Sequence, residues 1–128
     1  MKLLNDTHLL LWFTAEPKKL PAPARLMMQD PANELFFSSV SFWEIAIKKT
    51  LNRPDFQPDP HLLHRELLAR GFRELKLSSD HAMAIETLPP IHRDLFDRIL
   101  IAQAVTEGMT LLTADSDIAK YPGPIRKV

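Results

Sequence analysis

Four acidic residues, far apart in the sequence, stand where chain geometry could gather them: Asp6, Glu44, Asp97 and Asp115. Carboxylates are hard oxygen ligands, suited to Mg²⁺ or Mn²⁺ rather than to metals that prefer nitrogen or sulfur. Three or four of them brought together repel strongly unless a divalent cation neutralises them. The chemistry such a group serves is phosphodiester hydrolysis. One ion polarises the phosphoryl oxygen and helps a bound water lose its proton, and a second, ~3.5–4 Å away, stabilises the leaving oxygen. The residues leave open whether one ion or two would bind.

Each acid also has a local use. Asp6 follows Leu3-Leu4-Asn5 and Asp115 follows Leu111-Leu112-Thr113-Ala114, so both sit where a strand ends and both can cap the helical turn that comes next. Glu44, three residues after Ser41, fits a capping box with Ser41 as N-cap, and it can also pair with Lys48 one turn on. Its neighbours Phe42, Trp43, Ile45, Ala46 and Ile47 are apolar nearly all round, which predicts a buried helix whose carboxylate needs a cation. Asp97 is aligned with Leu100, Ile101 and Ala104 in an apolar helical stripe, where an ionised side chain is costly without compensation. Its other readings are capping from Asp94 or an ion pair with Arg98. Asp94 reads as the cap of this helix, and Asp117 as a solvated neighbour of Asp115.

Other chemistries are set aside by what the chain lacks. It has no cysteine, so disulfides, thiolate metal sites and cysteine nucleophiles are excluded. Gly71, Gly108 and Gly123 are its three glycines, too dispersed for a phosphate-cradling loop or a dinucleotide fingerprint. His8, His61, His64, His81 and His92 are scattered with no HExxH pattern, and no serine lies in a GxSxG elbow. His8, beside Asp6, is the one histidine expected near the acids, as scaffold rather than as base. Sixteen basic and sixteen acidic residues give zero net charge, so any polyanion must meet bound cations or local bases such as Lys48, Lys49, Arg53, Arg93 and Arg98.

The elements that must position these side chains alternate. Strands are expected over 2–5, 34–38, 73–77, 109–113 and 125–127. Helices are expected over 7–13, 22–29, 42–51, 61–70, 79–87, 94–107 and 116–120, with prolines and glycines between them. Such alternation predicts an α/β fold with a mostly parallel sheet covered on both faces, whose ligands bind beyond the carboxyl ends of the strands. At 128 residues the chain fits one domain spanning residues 1–128. The longest early apolar run, Leu9–Phe13, is far short of the ~20 residues of a membrane span, so a soluble, cytoplasmic protein with no signal peptide and no membrane contact is expected.

The same residues carry a resemblance. Leu-Leu-Asn-Asp-Thr-His at 3–8, Ser-Val-Ser-Phe-Trp-Glu-Ile-Ala-Ile-Lys at 39–48, Asp-Leu-Phe-Asp-Arg-Ile-Leu-Ile-Ala-Gln-Ala at 94–104 and Leu-Leu-Thr-Ala-Asp at 111–115 resemble the four signatures of PIN domains. More narrowly, they are similar to those of VapC-type toxins of bacterial toxin–antitoxin pairs, in order and over nearly the whole chain. The resemblance implies a Rossmann-like α/β/α sandwich, Mg²⁺- or Mn²⁺-dependent endoribonuclease activity on RNA, inhibition by a small VapB-like antitoxin, and homodimerisation. Asp6, Glu44, Asp97 and Asp115 match its acidic quartet, with Thr7, Lys48, Arg98, Thr113 and Asp117 as supporting candidates. Two positions depart from the pattern: Asn5 stands where an aliphatic residue is usual, and Leu95 where proline is frequent. Neither removes a ligand.

Two other classes compete. A catalytically idle PIN-like binding module would bind partners without metal. A phosphotransfer signalling domain would want adjacent acids after the first strand and a lysine ending a late one, and Asp6 is followed by Thr7.

Overall fold

A computed structural model describes residues 1–91 and 94–128. His92 and Arg93, within the proline-stiffened connection read at 89–93, lie outside the described residues. Five strands form one sheet in the order β3-β2-β1-β4-β5, with every neighbouring pair parallel. They are β1 (Lys2–Asn5), β2 (Glu34–Ser38), β3 (Arg73–Leu75), β4 (Thr110–Thr113) and β5 (Ile125–Lys127). Among the described residues six α-helices join them: α1 (Thr7–Ala15), α2 (Ala22–Gln29), α3 (Ser39–Thr50), α4 (Pro60–Ala69), α5 (Ser79–Ala84) and α6 (Leu95–Glu107).

Parallel strands need long crossovers, and these place the helices on the two faces of the sheet. Successive side chains of a strand point to opposite faces. Phe37 and Leu112 enter a core layer with Leu9 and Leu10 of α1, Ala24 and Met28 of α2, and Leu63 and Leu67 of α4. Their neighbours Phe36 and Leu111, with Leu4, enter the other layer against Ile99, Leu100, Ile101 and Ala104 of α6. The result is the three-layer α/β/α sandwich expected. No helix among the described residues is long and apolar enough to cross a membrane.

The chain builds outward from β1 to β2 and β3, then returns to the other side of β1 for β4 and β5. The strand order therefore reverses between β1 and β4, and the carboxyl ends of these two strands form the switch-point crevice where ligands of open α/β sheets bind. Asp6 and Asp115 follow those two strands directly. The register fixes Asn5 opposite Leu112, and the Asp6 N–H donates to the Leu112 carbonyl at 3.0 Å.

Several elements differ from expectation for identifiable reasons. Ser41 is not the cap of α3. The helix begins at Ser39 with Ser38 as N-cap, whose hydroxyl accepts from the Val40 N–H at 3.0 Å, so the Ser41–Glu44 capping box does not form. Nor is α3 buried all round: Trp43, Ile47 and Leu51 are exposed along one face. β3 stops at Leu75 rather than Leu77, because β2, its pairing partner, turns into α3 after the Ser38–Leu75 pair. The helix read over 79–87 is α5 followed by a 3₁₀ turn at Ile85–Thr87, and 116–120 holds just a 3₁₀ turn at Ile118–Lys120 before the Tyr121-Pro122 step. A buried polar thread ties β2 to the far layer: the Ser38 hydroxyl lies 2.5 Å from Gln103 Oε1, and Gln103 Nε2 lies 3.3 Å from His81 Nδ1.

Candidate functional site

The acids meet along the carboxyl edge of the sheet in two adjoining groups. Asp6, buried beyond β1, has both oxygens engaged. Oδ1 accepts the Leu9 N–H at 2.9 Å and so caps α1, while Oδ2 accepts the hydroxyl proton of Thr113. Thr113 Oγ1 in turn accepts the Asp115 N–H at 3.0 Å, so one hydroxyl at the end of β4 fixes both strand-end aspartates. Asp115 Oδ1 accepts from the Asp117 N–H at 2.7 Å. Asp6 and Asp115 line a hollow of about 180 Å³ together with His8, Trp12 and Ala114. Burial pushes the Asp6 carboxyl above its ordinary range. The hydrogen bonds from Thr113 and the Leu9 N–H and the nearby His8 pull it back, and the charge of Glu44 adds to the rise.

The second group forms where α3 meets α6. Glu44, Asp94 and Asp97 each offer an oxygen, and these atoms all lie within 4.8 Å of one another. Glu44 is 2% exposed. Its Oε1 accepts the Thr7 hydroxyl at 2.6 Å and its Oε2 lies 2.6 Å from Lys48 Nζ, which also reaches Asp94 Oδ2 at 3.4 Å. Burial alone would lower the Lys48 pKa, but its contacts with Glu44 and Asp94 hold it above the ordinary value. Lys48 thus balances part of the negative charge. Asp94 caps α6 by accepting the Asp97 N–H at 3.1 Å, and Ser41, buried on α3, sets its hydroxyl 2.9 Å from that of Thr7.

The structure thus brings Glu44 and Asp97 together, and Asp6 and Asp115 together. A hydrogen-bonded line runs from Asp115 through Thr113 to Asp6, and from the adjacent Thr7 through Glu44 and Lys48 to Asp94 and Asp97. The cap expected for Asp6 is present. Asp115 is not the N-cap of the 3₁₀ turn that follows, a position held by Asp117, but its Oδ1 accepts the Asp117 and Ile118 N–H groups ahead of it. A carboxylate has about four lone-pair sites, so capping a helix leaves oxygen capacity for a cation. Among the supporting candidates, Thr7, Lys48 and Thr113 are in this line. Arg98 follows Asp97 on α6 with its Nε buried and without a hydrogen-bond partner, and Asp117 faces solvent, paired with Lys120 at 3.1 Å. Arg93 lies outside the described residues. Asp94 is the member the sequence reading passed over. Its capping role was legible, but the reach of its second oxygen to Lys48 depends on how α6 packs on α3.

The residues fit a hard divalent cation: the donors are all carboxylate oxygens, from α3 and from the cap and first turn of α6, already partly compensated by an ammonium group. Glu44 is buried and Asp94 and Asp97 are half-buried, and acids crowded there are unfavourable unless something positive joins them.

Comparison with known proteins agrees with this architecture. The family model for the PIN domain matches residues 3–124. The chain is 28% identical over 126 residues to Ribonuclease VapC22 of Mycobacterium tuberculosis, covering 96% of this chain and 95% of that protein. Among solved structures, the VapBC2 complex of Rickettsia felis bound to a DNA fragment from its promoter superposes with a TM-score of 0.70 at 13% identity, over 99% of this chain and 98% of the matched one. A toxin–antitoxin complex from Klebsiella pneumoniae superposes with a TM-score of 0.62 at 22% identity, over 98% of this chain and 99% of that chain.

Proposed function

The chain belongs to the PIN domain family, and on that premise we propose that it is a Mg²⁺- or Mn²⁺-dependent endoribonuclease acting as the toxin of a toxin–antitoxin pair. The observation that carries this reading is the convergence of three carboxylates within 4.8 Å at the carboxyl edge of the sheet, with Asp6 and Asp115 beside them. Similarity to Ribonuclease VapC22 and to toxin–antitoxin complexes supports RNA as the substrate and a small VapB-like antitoxin as partner, and action in the cytoplasm belongs to the same reading. Homodimerisation belongs to the same reading.

In this proposal Asp6, Glu44, Asp97 and Asp115 hold the metal, as one ion or two, with Asp94 contributing. A bound divalent ion supplies Lewis-acid polarisation of the phosphoryl oxygen and a water acidic enough to be deprotonated near neutral pH. The protein's own side chains set the geometry. Thr113 and the Leu9 N–H hold the Asp6 carboxylate, and Thr7 and Lys48 hold that of Glu44 from both sides. Donors fixed in this way need little rearrangement as charge develops, which is where electrostatic catalysis gains most. Lys48 and Arg98 are the bases at hand for the phosphates of the strand.

Cleavage of a defined RNA with and without EDTA, wild type against Asp97→Asn, tests the reading. The expected result is cutting that requires the divalent ion and falls at least ~100-fold in the variant, since a lost ligand removes several kcal/mol of charge stabilisation. Circular dichroism should show the fold intact. Cutting in EDTA, or undiminished activity in the variant, overturns the proposal. An idle binding module would bind its partner in EDTA and cut nothing.

A further inference from the structure

The hollow that holds Asp6 and Asp115 adjoins a larger one. His8 and Trp12, one turn apart on α1, line both. The second hollow has a volume of about 570 Å³, and Pro54, Asp55 and Pro58, between α3 and α4, form its far wall. That volume falls in the ~300–1,000 Å³ range of small-ligand pockets. Trp12 is half-buried against the core, so its indole is held in place while part of it faces the hollow. The His8 ring packs 5.7 Å from the Trp12 ring and edge-on to Phe56 at 5.0 Å, with Nε2 3.3 Å from Asp55 Oδ2. Asp55 stays ionised: burial would raise its pKa, but its backbone N–H, His8 and Arg53 hold it below the ordinary range. Metal-assisted hydrolysis by itself gives this wall no work.

We propose that the hollow is a base-binding subsite for the nucleotide beside the scissile phosphate of single-stranded RNA, with the base stacked on Trp12 and its exocyclic amino group donating to Asp55. The inference rests on the nuclease reading and deepens it. Three observations favour a nucleotide as occupant. The hollow adjoins the one at the acidic edge, with which it shares His8 and Trp12 as walls. It pairs a fixed aromatic face with a polar acceptor, the combination by which unstacked RNA bases are recognised. The chain has no net positive charge, so affinity for RNA has to draw on uncharged contacts, and stacking is one of the largest of these. An acceptor at this wall favours adenine, cytosine or guanine over uracil, which presents carbonyl oxygens there.

The chain has two tryptophans, so in Trp43→Phe the fluorescence reports Trp12 alone. With Asp97→Asn added to prevent cutting, titration with short single-stranded RNAs should quench that fluorescence saturably, and oligouridine should bind ~10-fold more weakly than amino-bearing sequences. In the cleaving protein, cut sites mapped on a randomised RNA should show a base preference at one position next to the cut. Trp12→Ala should erase that preference and raise KM ~10-fold with kcat within about twofold, and Trp12→Phe should restore it. Asp55→Asn, in the exposed part of the 3₁₀ turn at Pro54–Phe56, should relax the discrimination against uracil with the fold untouched. Absence of quenching, a preference for uracil, or an unchanged cut profile in Trp12→Ala overturns the proposal. So does a Trp12→Ala variant that keeps its profile but loses its antitoxin, which would assign the hollow to a protein segment. If the wild type cuts no RNA with any divalent ion, the nuclease reading fails separately, and the quenching titration still decides whether a base binds.

Discussion

Asp6 shows how a single side chain trades stability for chemistry. It is 4% exposed, close enough to Glu44 to feel its charge, and its carboxyl is pushed up chiefly by burial. Between the ordinary value of 3.8 and the raised folded one, the native state keeps a proton that the unfolded chain has released. Stability therefore falls as pH rises through that window, and the loss persists above it. Asp6→Asn removes this slope while still accepting the Leu9 N–H. In EDTA near neutral pH the variant should be more stable than wild type by about 1 kcal/mol, with the difference vanishing toward pH 3, as read by urea denaturation across pH. Saturating Mg²⁺ should reverse the order and leave the variant inactive. A wild type more stable than Asp6→Asn in EDTA at pH 7 would contradict this account.

At the scale of elements, the strands were legible and the helix starts less so. Leu-Leu-Asn, Leu-Phe-Phe and Leu-Leu-Thr are short apolar runs between turn signals, and burial on both faces of a parallel sheet follows from them. The start of α3 was not, because 38–41 offers Ser-Ser-Val-Ser and the capping-box pattern fits Ser41 better than Ser38. What selects Ser38 is tertiary: it ends β2 facing Gln103, while Ser41 faces Thr7. The candidate acids were readable as strand-end and stripe residues, whereas the second role of Asp94 and the wall formed by Asp55 depend on loops and packing that local patterns do not encode. Ser38→Ala should cost about 2–3 kcal/mol, the sum of a lost cap and an unsatisfied buried amide oxygen on Gln103. Chemical denaturation checks this, and a cost below ~0.5 kcal/mol would mean that neither contact matters.

Across the whole molecule, the formal charge sums to zero while the acids crowd onto one edge. The global balance conceals a local excess that Lys48 only partly offsets. A cation that binds the folded state alone stabilises it by mass action, ~2.7 kcal/mol at a hundred times its Kd. Mg²⁺ or Mn²⁺ should therefore raise the melting temperature by ~5 °C or more over EDTA, and K⁺ at equal ionic strength should not. A melting temperature indifferent to divalent ions would remove the main physical argument for a metal centre.

The placement of β1 between β2 and β4 has a consequence for synthesis in the cell. Asp6 leaves the ribosome well ahead of the threonine that fixes its carboxylate, which lies 107 residues later, and Asp115 follows just beyond. Until β4 has left the exit tunnel and docked beside β1, the growing polypeptide holds half a cutting edge. On the nuclease reading proposed above, the nascent chain is harmless to the machinery translating it, and its hazard begins only when β4 and β5 join the sheet, which is also when the proposed antitoxin must be at hand.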